Sequence, residues 1–373
     1  MSKRWAVLLA AVGILLRIVP IWAQPTWYDE NFTFLLARLP LDRLLSATAG
    51  DVHPPLWYLV CWPFAHIPGL PAWAVVRIPA LLASIAAIWV FWRILEWIVS
   101  SENVRLVAFG LFCLLPQQIY YAQEGRMYSL LTLLVLVTWL CIMEDRWIWT
   151  VVATAAMLYL HNYGLIYAAA LWVAGVIFFI RRHDRRILRI RLTLAMAAAG
   201  LAFVPWLVVL FRQMDSVAAG YWIMPLSLPK ALADLAASYF AVGFIKTQMI
   251  NVAVFSGVLA WVLIWSLRKK ALDMPVVYLA FLPFLLANFV SLAWHPVLLN
   301  RALVPSGAFL CILLAGPLEA LGRRPLLVLS IFFIPALAAT LVATAMRAGW
   351  AHDPIYRHLA ALSLIDSQWQ PGD

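Results

Sequence analysis

Apolar runs of about 20 residues follow one another from Trp5 to Ala345, each long enough to cross the hydrocarbon core of a bilayer as a helix. Inside lipid such a segment must satisfy its own backbone hydrogen bonds, so repeated runs point to a bundle of spanning helices. A mean hydropathy of +0.90 and a charged fraction of 12% agree. The chain therefore reads as an all-α polytopic membrane protein. That reading overrides the roughly two or three soluble domains that a length of 373 residues would otherwise suggest.

Spans are expected near 5–22, 76–97, 104–119, 128–143, 147–160, 164–180, 192–211, 249–267, 275–292, 302–319 and 325–345, eleven in all, with the amino end cytoplasmic and the carboxyl end external. The first run has the outline of a signal peptide. Arg17 interrupts it, however, and no small residue stands two before Ala23, so an uncleaved span is expected. Residues 54–67 are apolar but short and broken by prolines, and charge decides their place. With them outside, sixteen of the 27 basic residues fall in short cytoplasmic loops, among them the six arginines of 181–191. Making 54–67 a span would turn those six arginines outward, against the positive-inside rule. The first external loop is thus long, about 23–75, and is expected to carry two helices lying along the membrane surface, 30–46 and 54–67. The net charge of +10 is accounted for by cytoplasmic loops and implies no nucleic-acid partner. Cys61, Cys113, Cys141 and Cys311 sit singly in apolar runs, as small core residues do. One integral membrane domain, 1–373, is expected, with no soluble domain.

Within this frame, polar residues converge on the external side. The window from Trp27 to Tyr58 holds four of the seventeen acids, Asp29, Glu30, Asp42 and Asp51, and also His53. Paired carboxylates beside an apolar helix are costly to hold there, which favours a functional reason. The next external loops bring Glu124 and Arg126, then Asn300 and Arg301. An arginine at the external lip suits a phosphate, which its planar fork can grip through two hydrogen bonds. A carboxylate nearby can take a proton from an attacking hydroxyl. Each residue also has a plain structural role: Asp29 as a helix N-cap, Arg126 and Arg301 as anchors at span ends, His161 as a satisfied interface residue. The convergence on one side outweighs these single explanations. A divalent cation is compatible with Asp29, Glu30, His53 and His295, but no ligand spacing implies one and no cofactor is assigned.

Four stretches in order carry a resemblance. They are Trp27–Glu30 (Trp-Tyr-Asp-Glu), Asp51–Tyr58 (Asp-Val-His-Pro-Pro-Leu-Trp-Tyr), Arg77–Ala83 (Arg-Ile-Pro-Ala-Leu-Leu-Ala) and Tyr120–Leu130 (Tyr-Tyr-Ala-Gln-Glu-Gly-Arg-Met-Tyr-Ser-Leu). Together they resemble the bacterial membrane glycosyltransferases of the GT-C fold, relatives of the protein O-mannosyltransferases and the lipid A aminoarabinose transferases. The resemblance covers about residues 5–180, and Asn300–Pro305 looks like the family's later arginine-bearing external stretch. By resemblance, 1–211 is the family-type module and 212–373 a more variable helical half. It implies a polyprenyl-phosphate sugar as donor and Asp29 as the base of an inverting transfer, with Glu30 supporting or positioning it. It further implies His53 at the donor–acceptor junction, Arg126 and Arg301 on the lipid phosphate, and Tyr121, Glu124 and Tyr128 at the substrate. Many relatives carry a large soluble domain. Here about 28 external residues follow the last expected span, which favours a lipid-linked or small hydroxyl acceptor over a folded protein. The expected place is a bacterial inner membrane, with the site on the periplasmic side. The rival reading is a transporter or flippase of a lipid-linked sugar, disfavoured by the lack of a charged relay across the spans.

Overall fold

Prolines stand at the start of the helices that begin at Leu41, Leu56, Ala72, Pro116 and Met274, where their missing N–H costs no helical bond. The structure, a computed structural model, describes residues 2–19, 21–22, 25–181, 186–218, 231, 248–269 and 273–320. In chain order the helices are α1 (Ser2–Ile18), α2 (Tyr28–Ala37), α3 (Leu41–Ala49), α4 (Leu56–Ala65), α5 (Ala72–Ile98), α6 (Glu102–Leu114), α7 (Pro116–Ala122), α8 (Tyr128–Met143), α9 (Trp147–Leu160), α10 (Tyr163–Arg181), α11 (Arg186–Ala218), α12 (Gln248–Lys269), α13 (Met274–Ala293) and α14 (Val304–Ala320). A short 3-10 turn, Asn300–Leu303, leads into α14. There is no strand among the described residues.

Five of these stretches are long and apolar enough to cross a membrane: Ala72–Ile98, Tyr163–Arg181, Arg186–Gln213, Met274–Ala293 and Asn300–Ala320. The pair α6 and α7 makes a sixth if it counts as one broken span. Exposed apolar side chains such as Leu194, Leu201, Val208 and Phe211 along α11, and Leu285, Phe289 and Leu292 along α13, form the outward surface that lipid would cover. The chain is a multi-pass helical membrane protein. The expected span at 325–345 and the tail from 346 lie outside the described residues.

Two expected helices are each divided in two. The surface helix 30–46 is α2 and α3, separated at Pro40, which has no N–H to continue the ladder and restricts the residue before it. The span 104–119 is α6 and α7, bent by 44° where Pro116 follows an extended Leu115. That break exposes carbonyls that a continuous helix would have used. Arg17 answers one of them: its Nη1 donates to Cys113 O at 2.7 Å and to Gly13 O at 2.8 Å, while its Nε donates to Ser84 Oγ at 2.9 Å. Gln123 adds a bond from its side-chain amide to Leu16 O at 2.7 Å. The arginine that interrupts the first apolar run is therefore fully buried and ties α1, α5 and α6 together.

The core lies between α5, α8, α9 and α10, with α6 and α14 closing one side. Trp57, Tyr58 and Cys61 of α4 are buried against it, so the short helices α2–α4 pack on one end of the bundle. Asn162 on the α9–α10 turn donates to Val52 O at 3.0 Å, and Gln213 of α11 donates to Thr48 O at 3.0 Å. These bonds hold the segment carrying α2–α4 beside the ends of α9 and α11.

Candidate functional site

The site begins at the first turn of α2. Consecutive helical residues point about 100° apart, so Asp29 and Glu30 are adjacent in sequence but face different neighbours. Glu30 faces inward. Its carboxylate takes two hydrogen bonds from Arg77 of α5, Nε to Oε1 at 2.8 Å and Nη2 to Oε2 at 2.7 Å. Oε1 also accepts the Gly125 N–H at 2.6 Å, and Oε2 the Trp27 N–H at 3.3 Å, which caps the helix start. Arg77 spends its remaining donors on Ile21 O at 2.8 Å and Pro25 O at 2.9 Å. Both side chains are 1% exposed. Four separate segments thus meet at one buried pair. Gly125 is required by the close approach, because a Cβ there would collide with the Val76 side chain and crowd Glu30 Oε1.

Asp29 lies on the neighbouring face and is 23% exposed. Its Oδ2 stands 3.6 Å from Arg126 Nη2 and 3.8 Å from Arg301 Nη1, close enough for strong electrostatic attraction but too long for a direct hydrogen bond. Glu30 sets this arrangement at one remove: the turn carrying Arg126 starts at Gly125, whose N–H the Glu30 carboxylate holds. Arg301 is placed from the far side. Tyr163 of α10 donates its hydroxyl to Val297 O at 2.7 Å and accepts the Leu299 N–H at 3.0 Å. Ser291 Oγ accepts the N–H groups of Val297 and Leu298, and Gln118 donates to Val304 O at 3.0 Å.

Around this trio the rings form a continuous wall. The Arg301 guanidinium lies 5.8 Å from the Tyr128 ring centre, Tyr121 packs edge-on against Tyr128 at 5.1 Å, and His161 sits 5.8 Å from Tyr128. His53 follows, 5.1 Å from His161. Burial holds both imidazoles below their usual range, with Arg126 and Arg301 adding to it, and His161 falls to about 3. Both rings are neutral at pH 7. Glu124 moves the other way, up to about 8, chiefly through burial and then the nearby Glu30 carboxylate, against the pull of the two arginines. It too is uncharged at neutral pH. Asp51 accepts the Tyr58 hydroxyl at 2.8 Å, which fixes the start of α4.

All eight residues expected at a site from sequence, Asp29, Glu30, His53, Tyr121, Glu124, Arg126, Tyr128 and Arg301, are thus brought to one end of the bundle. Glu30 is engaged as a positioning group, and its closed pair keeps it from reacting groups. Sequence reasoning missed Arg77, Gly125, Tyr163 and Ser291, and dismissed His161. Arg77 carried a signal, being a charge within the first turns of an apolar span; hydrogen bonds from the other four across 95 or more residues, or to a neighbouring backbone, carried none. Among the described residues no three of His, Cys, Asp and Glu converge as a metal-ligand set.

No family model matches the chain, and no curated protein matches it. Solved structures do. ArnT from Cupriavidus metallidurans in the apo state is 16% identical over 97% of this chain and 71% of its own, with a TM-score of 0.62. The same protein bound to undecaprenyl phosphate covers 100% of this chain and 67% of its own at 16% identity and a TM-score of 0.55. The oligosaccharyltransferase of Archaeoglobus fulgidus in the apo form covers 100% of this chain and 59% of its own at 13% identity, with a TM-score of 0.63. Likeness at this identity is likeness of fold: the chain has the GT-C fold.

Proposed function

We propose that this chain is a glycosyltransferase that moves a sugar from a polyprenyl-phosphate donor to a hydroxyl acceptor, with inversion at the anomeric carbon. The observation that carries the reading is one carboxylate oxygen, Asp29 Oδ2, held between two guanidinium groups from distant segments at 3.6 and 3.8 Å. A transfer of this kind needs that juxtaposition. Asp29 takes the acceptor's hydroxyl proton as the oxygen attacks the anomeric carbon, while the bond from that carbon to the phosphate oxygen breaks. Negative charge grows on the departing phosphate, and Arg126 and Arg301 stabilise it in a site largely shielded from water. Glu124, uncharged at neutral pH, does not repel that phosphate and has a proton to donate. The ArnT structure bound to undecaprenyl phosphate gives the same fold a polyprenyl phosphate as ligand.

Positive-inside charge favours an external, periplasmic site in a bacterial inner membrane, with the helices α2–α4 lying along the membrane surface. A lipid-linked or small hydroxyl acceptor is the class that suits it. The direct test is release of free polyprenyl phosphate by purified wild-type and Asp29→Asn protein supplied with labelled polyprenyl-phosphate sugars and a membrane acceptor extract. Release by the wild type alone supports the transfer and the base. Equal release by both would remove Asp29 from the role, and no release together with lipid movement across vesicles would favour transport.

A further inference from the structure

Between the two arginines and the first external loop lies a cluster of polar atoms that no charge pairing explains. His53 Nδ1, His161 Nε2, the Tyr128 hydroxyl and Arg126 Nε are all shut off from solvent and have no hydrogen-bond partner among the described residues. Each such group costs about 1–3 kcal/mol when it stays unsatisfied, so four together in one place call for an occupant. Their contiguity is direct: His53 to His161 is 5.1 Å and His161 to Tyr128 is 5.8 Å between ring centres, and Arg126 leads on to Asp29. His161 is also oriented. Its Nδ1 accepts the Tyr163 N–H at 3.0 Å, which fixes the ring and leaves the proton on the unpartnered Nε2.

The structure assigns this cluster, on the lipid-phosphate reading above, as the subsite for the hydroxyl groups of an uncharged donor sugar, with His161 as a substrate-binding residue. The chemistry separates it from the phosphate site. Phosphate calls for cations, which Arg126 and Arg301 provide beside Asp29. Neutral imidazole and phenol groups each offer single donors or acceptors, which match hydroxyls that can do both. The position fits as well, because the Arg301 guanidinium that would hold the phosphate lies 5.8 Å from the Tyr128 ring of the cluster, next to where the sugar joins that phosphate. Arg126 and Arg301, which add to burial in keeping the imidazoles uncharged, would repel an ammonium, so a cationic amino sugar is disfavoured.

The test compares affinities of the full-length detergent-purified protein for undecaprenyl phosphate alone, for its glucose, mannose and arabinose esters, and for the glucosamine ester. At least one neutral sugar should add affinity over the bare lipid phosphate, and glucosamine should add less. His161→Asn keeps the acceptor for the Tyr163 N–H and removes the Nε2 donor. It should abolish the sugar increment, a loss of about tenfold, while leaving undecaprenyl phosphate binding as in the wild type. His161→Gln, whose amide reaches the Nε2 position, should restore part of it. A merely structural histidine would weaken both lipids together, and that result overturns the subsite, as does a wild type in which no sugar adds affinity. Equal binding of glucosamine would overturn the uncharged class. Failure of bare undecaprenyl phosphate to bind would instead overturn the phosphate reading of Arg126 and Arg301.

Discussion

Asp29 and Glu30 are neighbours in the chain with the same functional group, and the fold treats them as opposites. Glu30 is 1% exposed and saturated: two bonds from Arg77, one from Gly125, one from Trp27. Asp29 is 23% exposed and meets its two arginines at distances beyond hydrogen bonding. The first pattern leaves the carboxylate nothing further to do except hold segments in register. The second leaves it attracted to its surroundings yet able to accept a proton. Saturation marks architecture here, and on the proposed function loose pairing marks the base.

Substitution at each position gives the sharpest break of that comparison. Asp29→Asn should lower transfer by about 10²–10⁴-fold with an unchanged thermal unfolding midpoint. Glu30→Ala should do the reverse in origin: it strands a buried Arg77, costs about 3–5 kcal/mol of stability, and loses activity because the protein unfolds. Thermal unfolding in detergent, read beside product release, separates the two. Stability losses of equal size at both positions would dissolve the distinction.

Arg301 extends the comparison to cations. Arg77 is locked into a bidentate pair, whereas Arg301 is 21% exposed and shares Asp29 with Arg126. Arg301→Ala should therefore weaken undecaprenyl phosphate binding by about 10–100-fold, the loss expected for a charge-assisted bond. Arg301→Lys keeps the charge and loses the fork, and should fall between. Equal, mild effects from both would make Arg301 an anchor at the membrane lip.

Glu124 offers a third carboxylate, one whose charge is suppressed. Its pKa in the fold is about 8, against an ordinary value of 4.5. Between those values the unfolded chain has released a proton that the folded protein keeps, so the folded state binds more protons and loses stability as pH rises. The loss begins near the ordinary value and is complete above about 8. Glu124→Gln should remove this part of the decline, measured as unfolding midpoints from pH 5 to pH 9. An unchanged slope in the variant would place a charged Glu124 in the site.

How far the sequence foretold this geometry depends on the range of the interaction. Helical runs were legible because apolar period and span length are local properties, and ten of the eleven expected spans fall on helices. The breaks at Pro40 and Pro116 were also written locally, but apolar continuity outweighed them in the reading of 30–46 and 104–119. Asp29, His53, Arg126 and Arg301 were legible as polar groups out of place on one side of a membrane. The division of labour between Asp29 and Glu30 was not, because it depends on Arg77 standing 47 positions away. His161 went unrecognised for a related reason. A single histidine at a helix end has an ordinary explanation until His53 is seen beside it.

The smallest effect tests whether loose pairing needs a rigid frame. Arg301 stays near Asp29 because its segment is pinned, and Tyr163 makes two of the pins through one hydroxyl. Tyr163→Phe keeps the ring and its packing against His161 at 5.6 Å, and removes those two bonds. Ser291 and Gln118 still hold the segment, so the fold should survive with a loss of about 1–3 kcal/mol. If Arg301 acts on the donor phosphate, its freer motion should raise KM for the polyprenyl-phosphate sugar severalfold while thermal unfolding stays a single transition. Arg301→Ala combined with Tyr163→Phe should then be no worse in KM than Arg301→Ala alone, since the tyrosine acts through the arginine. Additive losses in the double variant would mean that Tyr163 supports substrate by a route of its own, and that the Arg301 segment holds its place without it.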